Sequence, residues 1–208
     1  ADTNGISVKV AKYDGLDRVD LIENNEYGYC SLIKATKQVL DKIGVENKTL
    51  AKITPKERKE TKLWNPVALR EAVINAIVHN DYTSEIPPKF EFFDDRIEIT
   101  SFGSLPQGMT EKEFFEGYSV PRNKELMRVF RDLDLVEHLG SGVPRILRSY
   151  GKECFKFTEN FLRMIFPATA QVTAQDTAQV TAQVKELIEI LSKEMDRQEI
   201  QDMLGLTH

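Results

Sequence analysis

The chain has 208 residues, enough for one or two domains with a real hydrophobic core. Its 28 basic and 33 acidic residues are interspersed and leave a net charge of -5, so the sequence carries no basic stripe of the kind a dedicated nucleic-acid module shows. No apolar run is long enough to span a bilayer, the start at Ala1 carries no apolar signal segment, and the two cysteines, Cys30 and Cys154, lie far apart; a membrane span, a disulfide framework and a zinc site are all disfavoured, and a cytoplasmic location is expected.

Residues 6–13 alternate Ile6, Val8 and Val10 with polar neighbours, the pattern of a half-buried strand. Asp14-Gly15 is a turn signal, and residues 18–23 predict a second short strand. Leu32, Ile33, Ala35, Val39, Leu40 and Ile43 follow helical spacing, with Gly44 as the expected C-cap. Residues 45–62 are Lys/Glu-rich and read as a connection or a poorly packed strand. Asn65-Pro66 opens the next helix, with proline at the first position, where its missing N–H costs nothing. Two alternating strands follow, PKFEFFDD and RIEITSF, joined at Asp94-Asp95. Thr110 and Glu113 form a capping-box pattern for a short helix, and residues 123–137 predict another, with Asn123 as a cap. Gly140-Ser141-Gly142 interrupts, helical spacing resumes at VPRILRSYG, and residues 154–166 close in a hairpin. A four-residue repeat, TAQV, TAQD, TAQV, TAQV, then reads as a linker. Beyond it an amphipathic segment and Gly205 suggest the start of a helix-turn-helix.

The informative stretch is EAVINAIVHNDY. Between Glu71 and His79 every residue but Asn75 is small or aliphatic, so the helix is expected to be buried nearly all round. Glu71, Asn75 and His79 fall at i, i+4 and i+8; each step of four advances only about 40°, so the three share one face. A buried carboxylate, amide and imidazole without partners would cost several kcal/mol, so the stripe must meet water, a hydrogen-bond network or a polar ligand. A solvent-exposed edge is the plain alternative.

This stretch resembles the N-box helix of the GHKL superfamily (gyrases, histidine kinases, mismatch-repair proteins), and is especially similar to that of anti-sigma-factor kinases. The resemblance implies ATP and Mg²⁺ as cofactors, with Asn75 holding the metal, Glu71 orienting or deprotonating the attacking water, and His79 and Asp81 closing the pocket. The run from Gly140 through Ser141 and Gly142 to Arg145 resembles the second glycine box, whose backbone N–H groups meet phosphate. Arg122, in the segment matching the nucleotide lid, is a candidate phosphate contact, and Arg145 is a candidate for phosphate or for an ion pair with Glu137. FGSLPQGMT, SVPRNKEL and LVEHLGSGVPRI, in that order, are similar to the C-terminal domain of RecG-related, Schlafen/AlbA-type bacterial regulators. The match spans about residues 65–165.

The sequence departs from the superfamily at the base-recognition element. Where an Asp-x-Gly-x-Gly is usual, Ser101 stands at the aspartate, Gly103 keeps the first glycine and Leu105 replaces the second. A hydroxyl bonds an adenine amino group more weakly than a carboxylate does. The RecG name implies a helicase, yet these 208 residues hold no G-x-x-x-x-G-K-[ST] loop for a P-loop motor.

The resemblance thus implies an α/β chain: a GHKL-like two-layer sandwich, with a mixed sheet covered on one face by helices, plus the start of a winged helix. The expected division is 1–62 as the tail of an upstream AlbA/Schlafen-type domain with a linker, 63–167 as the ATPase-like domain, 168–183 as the repeat linker and 184–208 as the beginning of the winged helix. The chain reads as a piece of a longer protein: a nucleotide-sensing module of a transcription regulator that meets DNA through domains largely outside this segment. A homodimer is a candidate assembly. The rival reading is a non-catalytic pseudo-ATPase acting as a dimerisation or scaffold unit, and a serine kinase of the anti-sigma type ranks third.

Overall fold

The computed structural model describes residues 5–29, 31–53, 55–136 and 141–169. These belong to one compact unit spanning Ala1–Thr169; a second unit, Ala170–His208, holds nearly all of the expected linker and the whole expected winged helix, which lie outside the described residues.

Six strands make one mixed sheet in the order β2-β1-β5-β6-β8-β7: β1 (Ser7–Tyr13), β2 (Leu21–Gly28), β5 (Lys89–Phe92), β6 (Arg96–Phe102), β7 (Phe155–Phe157) and β8 (Phe161–Pro167). All neighbours are antiparallel except β1 and β5, which run parallel with Val10 opposite Phe90. A parallel pair needs a long crossover. Here the crossover contains α1 (Leu32–Glu46), a separate hairpin of β3 (Thr49–Ile53) and β4 (Arg58–Lys62), and α2 (Pro66–His79). The boundary expected at residue 62 therefore falls inside a crossover of one continuous sheet, and the two N-terminal strands join the sheet that carries the later ones. Three local expectations shift. β2 starts at Leu21 rather than at residue 18, α1 runs through Gly44 to a C-cap at Asn47, and within 45–62 the strands β3 and β4 pair as an exposed hairpin.

The helices cover one face. Val8 and Val10, Phe90 and Phe92, Ile97 and Ile99, and Met164 and Phe166 point into it at the period of two that strands impose. They meet Ala35, Val39 and Ile43 of α1 and the nearly uniform apolar surface of α2, where Ala68, Leu69, Ala72, Val73, Ile77 and Val78 are fully buried. Each large side chain withdrawn this way contributes about 1.5–3 kcal/mol.

The start of α2 is fixed by three contacts. The Asn65 side chain accepts from the N–H groups of Val67 and Ala68 at 3.0 Å each, Pro66 fills the first helical position, and the Asn65 N–H donates to the Tyr150 hydroxyl. Trp64 is buried, and its indole N–H donates to the Phe166 carbonyl at 2.9 Å. The buried Asn47 amide bridges both backbone groups of Trp64, tying the end of α1 to the entry of α2. Among the described residues no helix is long and apolar enough to cross a membrane.

Candidate functional site: a cleft beside the polar stripe of α2

Helix α2 ends against the sheet through Asn80, a fully buried residue that sequence reasoning passed over. Its Nδ2 donates to the Ile86 carbonyl at 2.9 Å and its Oδ1 accepts from the Phe102 N–H at 2.8 Å. The Asp81 N–H donates to the Phe102 carbonyl at 2.8 Å. These bonds set the last turn of α2 beside the end of β6, and so bring His79 to the strand that carries Ser101.

Two adjoining clefts open along the polar stripe. The first holds about 770 Å³ of atom-free space, its open mouth included, and is mainly apolar. Asn75, Ala76 and His79 of α2, Ser101 of β6, Gly103, Arg122 and Gly142 line it. Its apolar wall comes from Met109, Phe114, Phe155, Leu162 and Met164. The second, of about 670 Å³ on the same measure, is more polar and is bordered by Glu71, Asn75, His79, Arg131, Ser141 and Gly142. Asn75, His79, Ser119 and Gly142 border both. The capping box at Thr110 and Glu113 is present and starts α3 (Glu111–Glu116), which brings Phe114 to the first cleft. No periodic signal marked Phe155, Leu162 and Met164 as wall residues; they belong to the closing hairpin, and only the pairing of β8 with β6 and of β7 with β8 brings them there.

The stripe is heavily partnered. Glu71 is almost fully buried, and its Oε1 accepts from Arg145 at 2.9 Å and from Arg70 at 3.2 Å. Arg145 is thus placed on Glu71. Gly142, the first residue of α5 (Gly142–Leu147), packs directly on the stripe: a Cβ there would sit 3.0 Å from Asn75 Nδ2 and 3.1 Å from Glu71 Oε2. A side chain there would press on both polar groups of the stripe. With only six residues, α5 has little dipole to offer a phosphate. Gly140 lies outside the described residues.

At the mouth, Arg122 bonds Asp81 Oδ2 at 3.2 Å and the Ser104 carbonyl at 2.6 Å. Its guanidinium lies over Gly103, whose φ of +99° and missing side chain make room; a Cβ would come within 2.9 Å of Arg122 Cζ. Asp81 lines neither cleft. It is held by Arg122 and by both the N–H and the hydroxyl of Thr83, and bonds from Thr83 and the Arg122 charge keep its carboxyl below the usual range. Asn123 begins α4 (Lys124–Asp132) without capping it: its Nδ2 donates instead to the carbonyls of Val78 and Asn80, pinning α4 to the end of α2. Ser101 is buried and lines the first cleft.

His79 is half-buried between the clefts, and burial together with the Arg122 charge pushes its pKa down to about 4 from 6.5. The unfolded chain binds this proton near pH 6.5 and the folded chain only near 4. The stabilisation is therefore complete above pH 6.5 and is lost as pH falls toward 4. Urea unfolding at pH 7 and pH 5 is expected to show a loss of about 1 kcal/mol from this residue, discounted for its partial exposure. His79→Gln should flatten that part of the acid limb; an unchanged slope refutes the assignment.

A mixed sheet with helices on one face, and an amide–carboxylate stripe of the central helix lining a cleft at the end of β6, define a GHKL-like ATPase fold. Residues 86–164 match the family described as "Putative ATP-dependent DNA helicase recG C-terminal", so this part of the chain is similar to a RecG-related, ATPase-like domain. Among solved structures, the DIP2311 protein from Corynebacterium diphtheriae superposes with a TM-score of 0.69 at 17% identity, over 81% of this chain. That likeness establishes the fold, and this chain spans only 36% of the DIP2311 chain. No curated protein matches the sequence.

Proposed function

We propose that the double cleft binds a nucleoside triphosphate, and that the chain is the nucleotide-sensing module of a DNA-binding transcription regulator rather than a P-loop helicase. The observation that carries this reading is the shared border. Asn75, His79 and Gly142 stand between a mainly apolar cleft and a polar one, so one ligand with an aromatic end and an anionic end fits both. The base enters against Phe114, Phe155, Leu162 and Met164, with the Ser101 hydroxyl as its polar contact. The phosphates reach Asn75, Gly142, Ser141 and Arg131, with Arg122 at the mouth.

Mg²⁺ would sit at the phosphate end. The donors suit it: an amide oxygen from Asn75, with the Glu71 carboxylate one turn away, fits a hard cation that keeps several waters and takes other oxygens from phosphate. No cluster of three or more His, Cys, Asp and Glu side chains that would hold a metal by itself occurs among the described residues. The metal would neutralise phosphate charge. Asn75 would orient it, and the apolar wall would exclude water from the base. Nucleotide binding would then bias the arrangement of attached domains by its differential affinity for two states.

ATP with Mg²⁺ should raise the melting temperature, by about 2.7 kcal/mol of linkage at a hundredfold excess over Kd. Asn75→Ala should remove the Mg²⁺-dependent part and leave the metal-free part. A melt indifferent to millimolar nucleotide rules the reading out.

The second reading, a non-catalytic scaffold or dimerisation unit, is favoured by a specific contact. The Glu71 Oε1 already accepts from Arg145 and Arg70, and a carboxylate so engaged makes a poor base. Sedimentation with and without nucleotide separates the two readings: a scaffold associates regardless of ligand.

A further inference from the structure

The sheet face opposite the helices carries a row of basic residues that the chain order hides. Lys9 of β1 stands opposite Lys89 of β5, Lys89 opposite Thr100 of β6, Thr100 opposite Arg163 of β8, and Arg163 opposite Lys156 of β7. Directly paired residues project to the same side, so these five form one line across five strands, about 19 Å long at about 4.8 Å per strand. Lys9, Lys89 and Lys156 are exposed, and none of them joins an ion pair among the described residues.

Like charges set side by side on a sheet are destabilising. The centre of the row adds a second cost. Thr100 is 8% exposed and its Oγ1 has no hydrogen-bond partner, nor has the buried Nε of Arg163. Both residues line a groove of about 630 Å³, with Lys89, Phe102 and Phe161. The buried carboxylates of the neighbouring row, Glu91 and Glu98, do not answer this need in full: they are engaged by Arg18 and Arg96, and Glu98 reaches the other end of the Arg163 guanidinium at 3.6 Å. On the other side lie Phe102 and Phe161, paired edge to face, with Phe161 37% exposed. A line of cations, an orphan donor at its centre and an aromatic flank call for a ligand that repeats its negative charge and carries flat apolar groups.

We propose that this face binds single-stranded nucleic acid, with phosphates along Lys9, Lys89, Arg163 and Lys156, one of them accepting from the Thr100 hydroxyl, and unpaired bases toward Phe102 and Phe161. A duplex fits poorly because its bases are already stacked. This site is separate from the nucleotide cleft, since Thr100 and Ser101 are consecutive in β6 and project to opposite faces.

The test is fluorescence anisotropy of a labelled single-stranded oligothymidylate with the 208-residue chain at low salt. Binding is expected, and Lys89→Ala with Arg163→Ala should weaken it at least about tenfold and lower the salt slope by about 1.4, two phosphate contacts at about 0.7 each. Thr100→Val should weaken binding severalfold while the melting temperature holds or rises, because it removes an unsatisfied buried hydroxyl; a purely structural threonine would not separate the two readouts. The proposal is overturned by absence of binding at low salt, by an unaltered double variant that melts like wild type, by a duplex of the same sequence binding as tightly, or by polyglutamate competing as well as the oligonucleotide, which would point to an acidic protein segment instead.

Discussion

Asn80→Leu is expected to cost about 2–4 kcal/mol and to lower the melting temperature by roughly 5–15 °C. The side chain is fully buried, and both halves of its amide are used: Nδ2 on the Ile86 carbonyl and Oδ1 on the Phe102 N–H. Leucine has the same number of side-chain heavy atoms and a larger volume, so no cavity forms. The loss comes from two buried backbone groups left without partners, at about 1–3 kcal/mol each before relaxation. Asn80→Asp keeps the acceptor for Phe102 but loses the donor to Ile86 and buries a charge against that carbonyl, so a loss at least as large is expected at neutral pH, easing as the carboxylate is protonated. The effect reaches the cleft as well. The Asn80 carbonyl receives Asn123, and the Phe102 amide follows Ser101, so α4 and the end of β6 share this one anchor. Thermal and urea unfolding measure the first consequence and nucleotide titration the second. A variant as stable as wild type would show that water replaces the amide without penalty.

Glu71→Gln is the second large effect: any ATP turnover should fall by about 10²- to 10⁴-fold, the usual contribution of a positioned general base. Binding should change little, because the amide preserves shape and one hydrogen-bond acceptor. Turnover in the wild type is itself expected to be slow. Ser101 offers the base a neutral hydroxyl in place of a carboxylate, and a charge-assisted bond is about twice as strong. Weaker anchoring of about 1–2 kcal/mol loosens affinity about tenfold and lets the phosphates wander from the attacking water. The structure adds a further brake, for Arg145 and Arg70 both donate to Glu71 Oε1. Arg145→Ala should therefore not abolish turnover, while Glu71→Gln should. Single-turnover assays with ATP decide it: brisk hydrolysis by both wild type and Glu71→Gln removes Glu71 from the chemistry and leaves the ion pairs as its role.

Much of the site was legible because it sits on local periodicity. Glu71, Asn75 and His79 share a helix face by spacing alone, and the apolar residues between them announce burial without any partner being known. Pro66 after Asn65, the Thr110–Glu113 box and the alternation in β5 and β6 are likewise properties of a few neighbouring residues, so their positions follow from the chain itself. The assignments that moved were those in which a side chain has several short-range options. Asn123 has a capping role available and a longer reach to α2, and packing of α4 on α2 selected the second. For Arg145, the packing of α5 on α2 adds Glu71 as a partner that local spacing did not show.

What only the tertiary structure decided is register. The sequence shows basic and acidic residues evenly mixed and so gives no sign of a charged stripe. Lys9, Lys89, Lys156 and Arg163 come from four strands spread along the chain from residue 9 to residue 163, and they align only because each strand's side chains alternate and the sheet fixes which pairs face each other. The same holds for the wall of the first cleft, which Leu162 and Met164 come to line together with His79 through the pairing of β8 with β6. Helix faces are written in a window of a dozen residues; a sheet face is written across the whole chain, and folding is what reads it.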